Sequence, residues 1–264
     1  MTVLAVIPAR LGATRLPRKP LRLLGGEPLI LKVWRRISAL GVAARCVVAT
    51  DSGEVRDVLQ RAGAECILTR DDHASGTDRV AEVVRTPEFA GYEVVLNVQG
   101  DEPFIPPEAV VAATRLVSTG AFPVATAAVA APAAALDLPD IVKVVSADDG
   151  RALYFSRAAI PYLREREDAG LIEGHVWQHI GVYAYTREAL GRWVALPPHP
   201  LERIERLEQL RPLAAGIPIG IAPIARAAAA WDWGVGAGAV AGGIDTEDDL
   251  ARANAHWPDF TSRE

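Results

Sequence analysis

The first 121 residues alternate between short apolar runs and amphipathic stretches. Residues 3–8 are apolar throughout, which is typical of a strand buried on both faces of a parallel sheet. Residues 28–40 follow after a loop and repeat apolar positions at helical spacing. This alternation predicts an α/β fold with a parallel, helix-covered sheet and right-handed crossovers. Further strands are predicted at 45–51, 65–69 and 93–101, and further helices at 52–63, 106–120 and in a segment that ends near residue 85.

The pattern is less regular from residue 122 onward. The clearest helix there is predicted at 200–211, and Pro212 is expected to end or kink it. Its apolar residues recur on one side, at Leu201, Ile204, Leu207 and Leu210.

Other stretches of this second half are weaker. Residues 225–243 are rich in alanine and glycine, which predicts a flexible excursion. Residues 164–174 are charged and predict a loop or a short helix. Strands are predicted at 122–131, 141–147, 152–160 and 176–185, and helices at 187–195 and from 245 to about 257.

The composition permits a large core and excludes some classes of function. Of the 264 residues, 50% are hydrophobic and 23% are charged, and the net charge of −5 argues against non-specific binding to nucleic acid. Cys46 and Cys66 each begin an apolar run and are expected to be buried, reduced thiols, since no spacing supports a disulfide or a metal site. No leader segment or membrane span is evident, so we expect a cytoplasmic protein that does not bind membranes.

Four cations lie in the single loop that follows the first predicted strand. Small residues between them would let a ligand approach the backbone. Cations combined with accessible N–H groups predict a polyphosphate site, although an ordinary basic surface loop is the alternative. The cations are Arg10, Arg15, Arg18 and Lys19, and the small residues are Ala9, Gly12 and Ala13.

Two carboxylates are candidates for a magnesium site. Asp101 ends an apolar strand and precedes Glu102 and Pro103, while Asp245 precedes the terminal helix. Mg²⁺ takes carboxylate, substrate and water oxygens. Each aspartate could instead cap the helix that follows it or close a turn.

Other polar residues stand on otherwise apolar elements. His73 and the turn Ser75, Gly76 and Thr77 precede a predicted helix N-terminus, which favours anions, although an N-cap role for Ser75 or Thr77 explains them equally well. Glu202–Arg206 and Glu208–Arg211 could be exposed ion pairs within one helix. The remaining candidates are Arg157, His179, Tyr183, Glu208 and Gln209, of which the histidine could be purely structural.

Eight motifs occur in an order that resembles the 3-deoxy-manno-octulosonate cytidylyltransferases (CMP-Kdo synthetases) of the sugar nucleotidyltransferase superfamily. The resemblance covers about residues 3–224 and 243–257. The motifs are I-P-A-R-L-G-A-T-R-L-P-R-K-P-L at 7–21, V-A-T-D at 48–51, S-G-T-D-R at 75–79, V-Q-G-D-E-P at 98–103, Y-F-S-R at 154–157, H-I-G-V-Y at 179–183, L-E-Q-L-R at 207–211 and I-D-T-E-D-D-L at 244–250.

The resemblance implies a Rossmann-like three-layer nucleotidyltransferase fold with a mostly parallel sheet and a smaller mixed β/α part. It divides one structural domain into a nucleotide-binding part (1–121), a sugar-acid-binding and dimerisation part (122–216), and a return strand, Ala/Gly-rich insertion and C-terminal helix (217–264). The implied reaction transfers CMP from CTP to Kdo and releases pyrophosphate, in a homodimer that serves lipopolysaccharide synthesis.

The resemblance also assigns roles to residues. Arg10, Arg15 and Lys19 would hold the triphosphate, with Lys19, Arg10 and Asp101 acting in catalysis, and Ser75, Gly76 and Thr77 would lie near the cytidine. Asp101 and Asp245 would hold Mg²⁺. The sugar-acid pocket would contain Gln99, Arg157, His179, Tyr183, Glu208 and Gln209.

The chain departs from the family pattern at three points. Ala13 stands where members commonly carry serine, the stretch 225–243 replaces a short turn, and Glu247 replaces a proline. A related acid such as 8-amino Kdo or a sialic acid is an alternative substrate. A non-catalytic nucleotide-binding protein, in which the altered 225–243 stretch has abolished turnover, is an alternative function.

Overall fold

The computed structural model describes residues 1–131, 135–172, 175–225 and 242–261. The chain forms two compact units, Met1–Ile105 with Gly242–Glu264, and Pro106–Ala241. Most of the predicted flexible stretch, residues 226–241, lies outside the described residues. The three-part division of the chain by role stays a prediction.

Apart from the helix predicted at 200–211, the predicted strands and helices of both halves are present, with boundaries that shift by a few residues. The strands are β1 Val3–Ala9, β2 Leu23–Leu24, β3 Glu27–Pro28, β4 Arg45–Thr50, β5 Glu65–Leu68, β6 Val94–Val98, β7 Val124–Ala130, β8 Lys143–Ser146, β9 Ala152–Ser156, β10 Val176–Thr186 and β11 Ile219–Ile224. The helices are α1 Leu29–Ala39, α2 Gly53–Arg61, α3 Gly76–Arg85, α4 Pro107–Ser118, α5 Arg187–Ala195, α6 Pro200–Glu205, α7 Leu210–Ala214 and α8 Glu247–Thr261.

The first unit is built on a parallel sheet. β1 pairs in parallel with β4 and β6, and β4 pairs in parallel with β5. Every residue of β1 is buried, which explains why its sequence is apolar rather than alternating. Because the strands are parallel, their carboxyl ends share one edge of the sheet. The predicted α/β fold with a parallel, helix-covered sheet is confirmed.

The second unit contains a mixed sheet. β7 pairs in parallel with β11 and antiparallel with β10. β8 pairs antiparallel with both β10 and β9. Helix α4 packs against β7, β10 and β11. The strand order in this unit confirms the smaller, mixed β/α part that the resemblance implies.

The prediction of a single helix at 200–211 is wrong, because two short helices occupy this range. α6 ends at Glu205 because Arg206 takes a left-handed conformation with φ 56°, and α7 begins only at Leu210. Ile204 is 76% exposed, so the apolar residues do not form one buried stripe. Pro212 lies in the first turn of α7, where a helix has no partner for its N–H groups.

The segment 200–211 is instead held together by a polar contact between its two short helices. Glu202 accepts hydrogen bonds from Arg211 Nε at 2.8 Å and from Arg211 Nη2, and both side chains are largely buried. The carboxylate also accepts from the His199 N–H. Arg211 therefore pairs with Glu202 across the break between the two short helices. The prediction of an exposed ion pair between Glu202 and Arg206 is wrong.

Two further predictions can be compared with the structure. Cys46 and Cys66 are free thiols, but each is only partly buried, and burial raises the pKa of both to about 11. Among the described helices, none combines the length and the apolar character that crossing a membrane requires.

Candidate active site

A cavity of about 290 Å³ opens in the first unit at the carboxyl ends of its parallel strands. The loop after β1, the turn before α3, the residues after β6 and one residue before α8 contribute side chains. The residues predicted for the site that line this cavity are Arg10, Arg15, Lys19, Ser75, Gly76, Gln99, Asp101 and Asp245.

Lys19 lies between the two predicted metal ligands. Its Nζ is 2.6 Å from Asp101 Oδ2 and 2.7 Å from Asp245 Oδ1. The lysine side chain is only 15% exposed. Burial lowers the pKa of Lys19, but the two carboxylates outweigh it and raise that pKa above its usual value. The lysine is therefore a firmly charged cation between two anions.

The backbone brings Asp245 to Asp101. The Ile244 N–H donates to the Asp101 carbonyl oxygen at 2.9 Å. A Cβ on Gly243 would lie 3.1 Å from Asp101 Cγ, so a larger residue there would crowd the aspartate. Thr246 Oγ1 accepts from the Asp249 N–H and caps α8. The predicted capping role thus belongs to Thr246, and the Asp245 side chain instead accepts from Lys19 and, at 2.8 Å, from Arg15 Nη2.

The loop of cations is held to the sheet by Asp51. Its Oδ1 accepts from the Leu11 N–H at 3.2 Å, and its Oδ2 accepts from Arg79 Nη2 at 3.0 Å. Arg79 is buried and also donates to Thr69 Oγ1 and to the Arg70 carbonyl. This contact fixes the backbone of the loop, from which Arg10, Arg15 and Lys19 line the cavity. Arg18, the fourth cation of the loop, pairs instead with Glu54 and does not line the cavity.

The turn before α3 supplies the opposite wall. Ser75 Oγ accepts from the Asp78 N–H at 3.1 Å, so Ser75 is the N-cap. A Cβ on Gly76 would lie 3.3 Å from Pro8 Cγ, so a larger residue there would require Pro8 to shift by a few tenths of an ångström. Thr77 is 3% exposed and does not line the cavity. Of the predicted cytidine-binding residues, Ser75 and Gly76 therefore face the cavity.

The residues after β6 are tightly packed. A Cβ on Gly100 would lie 2.8 Å from the Pro8 carbonyl oxygen, so this glycine allows the tip of β6 to pass the tip of β1. The pKa of Glu102 is raised to about 8, chiefly by burial and also by the nearby Asp101 and Asp245 carboxylates, while Lys19 opposes the increase. The negative charge of the cluster is thereby concentrated on the two aspartates.

In the second unit, His179 and Tyr183 lie together in a group of rings. Their ring centroids are 5.5 Å apart, and Tyr183 also contacts Trp193 at 5.8 Å. His179 Nε2 is 2.9 Å from Thr126 Oγ1. Burial lowers the pKa of His179 to about 4 and raises that of Tyr183 well above its usual value. Both side chains are therefore uncharged near neutral pH.

The remaining predicted sugar-binding residues of this unit follow strands and short helices. Arg157 comes directly after β9, and its guanidinium donates to the carbonyl oxygens of Glu205 and Pro139, each at 3.0 Å. Glu208 and Gln209 lie in the break between α6 and α7. Gln209 is 5% exposed.

A family model described as cytidylyltransferase matches residues 4–219. The chain belongs to the cytidylyltransferase family. The 3-deoxy-manno-octulosonate cytidylyltransferase of Gemmatimonas aurantiaca is 60% identical over 257 residues, which cover 97% of this chain and 95% of that protein. The protein of the same name from Azorhizobium caulinodans is 45% identical over 260 residues, covering 96% of this chain and 94% of the relative.

A solved structure supports the same conclusion. The structure of a CMP:2-keto-3-deoxy-manno-octonic acid synthetase complexed with CTP matches this cytidylyltransferase with a TM-score of 0.85 and 37% sequence identity. The match covers 98% of this chain and 100% of the other. The predicted family, the predicted nucleotidyltransferase class and the predicted fold are confirmed.

The two aspartates of this cytidylyltransferase suit a magnesium ion that also binds substrate. Their oxygens already surround one cation, the Lys19 ammonium, and both are hard donors of the type that Mg²⁺ prefers. In the described ranges, no group of three or more His, Cys, Asp or Glu side chains could hold a metal. Mg²⁺ commonly uses one or two carboxylates together with phosphate oxygens and waters, so the donor set fits a nucleotide-bound ion.

The sequence offered no reason to assign a function to Asp51 or Arg79. Both lie in motifs of the resemblance, at 48–51 and 75–79, but a pair so far apart in the chain is recognisable only in the fold. His73, which the sequence placed just before a helix N-terminus, also lines the cavity, and its Nε2 contacts Glu82 Oε2. These residues position the walls of the site.

Proposed function

We propose that this cytidylyltransferase transfers CMP from CTP to 3-deoxy-D-manno-octulosonate (Kdo) and releases pyrophosphate. The observation that carries the proposal is the position of Lys19 between Asp101 and Asp245 in a cavity lined by arginines. Relatives named for this reaction, at 60% and 45% identity, support the choice of substrates.

The triphosphate of CTP would bind the cations of the loop. Arg10, Arg15 and Lys19 line one cavity, and among the described residues Arg10 has no ion-pair partner, so its guanidinium is available for phosphate. Ser75 and Gly76 begin α3, where the helix N-terminus favours negative charge. Backbone N–H groups would serve at Ala13, which has no hydroxyl to offer.

Asp101 and Asp245 would hold Mg²⁺ together with phosphate oxygens. When bound, the ion would supply positive charge that stabilises the phosphates and favours ionisation of an attached hydroxyl. Lys19 would then turn from the carboxylates to the phosphates. Its ammonium would neutralise the charge that develops on the departing pyrophosphate.

In the proposed reaction, the anomeric hydroxyl oxygen of Kdo attacks the α-phosphorus in line. The new O–P bond forms as the bond between the α-phosphorus and the bridging oxygen to the β-phosphate breaks, pyrophosphate leaves, and the hydroxyl proton passes to solvent water. No covalent intermediate with the protein is required, so positioning and charge stabilisation account for the catalysis. Gln99, Arg157, His179, Tyr183, Glu208 and Gln209 would bind the sugar acid, with the arginine suited to its carboxylate.

A pyrophosphate-release assay with CTP, Mg²⁺ and one sugar acid at a time tests the function. We expect release with Kdo and much slower release with 8-amino Kdo or sialic acid. Faster turnover of either alternative acid would change the substrate assignment. Binding of CTP without release from any acid would instead favour a non-catalytic nucleotide-binding protein.

The cellular setting follows from the same proposal. CMP-Kdo formation would serve lipopolysaccharide synthesis, and CTP is a cytoplasmic nucleotide, so the cytoplasm is the proposed location. A homodimer is proposed from the family resemblance, with residues 122–160 as its interface. Sedimentation equilibrium at micromolar concentration tests the dimer, and a monomeric mass would contradict it.

A further inference from the structure

Lys143 in β8 is completely buried, with 0% of its surface exposed. Burying an ammonium group is costly unless its protons are hydrogen-bonded. Its Nζ donates to the carbonyl oxygens of Leu138 at 2.9 Å, of Ile141 at 2.7 Å and of Arg157. An ammonium has three protons to donate, so every one of them has a backbone acceptor.

These acceptors belong to two separate segments of the second unit. Leu138 and Ile141 bracket a turn, and Arg157 follows the end of β9. The three hydrogen bonds of the Lys143 ammonium go to backbone carbonyls and none of them goes to a carboxylate. The lysine therefore acts as a cross-link between the turn at 138–141 and the backbone of Arg157.

The same turn also holds the guanidinium of Arg157. Arg157 Nη1 donates to the carbonyl of Pro139 at 3.0 Å, inside the turn that Lys143 fixes. Arg157 Nε donates to the carbonyl of Glu205 at 3.0 Å. Two of the three guanidinium nitrogens are thus anchored to backbone. Nη2 has no hydrogen-bond partner in the part of the chain described, which leaves a donor of fixed direction.

Glu205 anchors Arg157 from the other side. Glu205 Oε2 accepts from the Arg157 N–H at 3.0 Å, and Oε1 accepts from Ser156 Oγ at 2.7 Å. The backbone of Arg157 is therefore held at its N–H by a carboxylate and at its carbonyl by an ammonium. These side-chain hydrogen bonds to the backbone of Arg157 are additional to the backbone hydrogen bonds that pair the strands.

We propose that Lys143 is a positioning residue that orients Arg157 toward the carboxylate of the sugar-acid substrate. This inference rests on the proposed function, in which Arg157 contacts that acid. A guanidinium recognises a carboxylate through N–H groups in a fixed plane. A small rotation of the guanidinium would therefore weaken binding of the acid without altering the nucleotide cavity of the first unit.

Steady-state kinetics of Lys143→Met test the inference, with CTP and Kdo varied separately. Methionine keeps the length and apolar stem of the side chain but removes all three donors. We expect KM for Kdo to rise about tenfold or more and KM for CTP to change less than about twofold, which is the pattern of lost binding to one substrate. Lys32→Met is the matched control, because Lys32 pairs with Glu27 in the first unit and does not line the cavity.

An unchanged KM for Kdo, or an equal rise in both KM values, would overturn the inference, since a merely structural lysine would affect both substrates alike. If Lys143→Met does not fold, Glu205→Gln replaces it, because this change keeps the volume and weakens the second anchor. The same selective rise is expected from it.

The wild-type protein and Arg157→Lys separate this inference from the proposed function. Absence of turnover with Kdo in the wild-type protein would refute the function and the inference together. Turnover in the wild-type protein with an unchanged KM for Kdo in Arg157→Lys would overturn the inference alone. A raised KM in Arg157→Lys together with a selective rise in Lys143→Met would support both.

Discussion

Replacing Lys19 with methionine should strengthen Mg²⁺ binding in the absence of nucleotide. In the structure the ammonium lies within 2.7 Å of an oxygen of both Asp101 and Asp245, so a metal ion held by both aspartates, as proposed, would have to displace it. Methionine keeps the apolar stem and removes the charge. The two carboxylates would then face each other with no cation between them.

The size of the effect follows from the spacing of the charges. Two like charges about 5 Å apart repel by about 3 kcal/mol at an effective dielectric constant of about 20. The Asp101 and Asp245 side chains are 27% and 39% exposed, so solvent screening reduces this repulsion. We therefore expect the free energy of Mg²⁺ binding to become more favourable by about 1.4 kcal/mol in this variant, which corresponds to about tenfold tighter binding.

Isothermal titration of Mg²⁺ into the nucleotide-free protein measures this change directly. Lys32→Met serves as the control, because that lysine also pairs with a carboxylate, at 2.6 Å, but lies outside the cavity. Unchanged or weaker Mg²⁺ binding in Lys19→Met would refute the reasoning. The same variant should bind CTP more weakly and turn over about a hundredfold more slowly, as expected when a charge-stabilising group is lost.

Three further predictions concern other parts of the molecule. Asp101→Asn should lower kcat by about a hundredfold or more in the pyrophosphate-release assay, and near-normal turnover would contradict its role. Gly100→Ala should lower the free energy of unfolding in urea by about 1–3 kcal/mol, since its Cβ would lie 2.8 Å from the Pro8 carbonyl oxygen. Gly91→Ala, where a Cβ meets no atom within 4 Å, should be near neutral. The pKa of His179 is about 4 in the folded protein, so the unfolded chain takes up this proton first as the pH falls below about 6.5. Stability should therefore decline between about pH 6.5 and 4, and His179→Gln should flatten that decline in urea titrations.

The sequence predicted those features that depend on neighbouring residues. The apolar run of β1 is recognisable because the strand is buried on both faces, and Ser75 is recognisable as a cap because its partner is three residues away. The prediction of one helix at 200–211 was wrong because the structure there depends on residues that are further apart in the chain. The chain leaves the helix at Arg206, which takes a left-handed conformation, and Glu202 and Arg211 pair across the break. Hydrophobic periodicity indicates neither feature.

The candidate site shows the same limit. The cations of the first loop are adjacent in the sequence, and the loop follows a predicted strand of a parallel sheet. The meeting of Asp101 and Asp245 depends on a backbone hydrogen bond from Ile244, which no local pattern encodes. The contact between Asp51 and Arg79 could not be predicted, because the two residues lie in different motifs that are far apart in the chain.

The position of Asp245 has a consequence for how the protein matures. Lys19 and Asp101 are made early during translation, whereas Asp245 emerges only after more than half of the chain has followed them. A nascent polypeptide whose parallel sheet has already formed therefore presents the lysine with only one of its two carboxylates. The acidic pair can form only after the segment before α8 has been synthesised and has left the ribosome, so a chain that lacks this segment cannot assemble the pair.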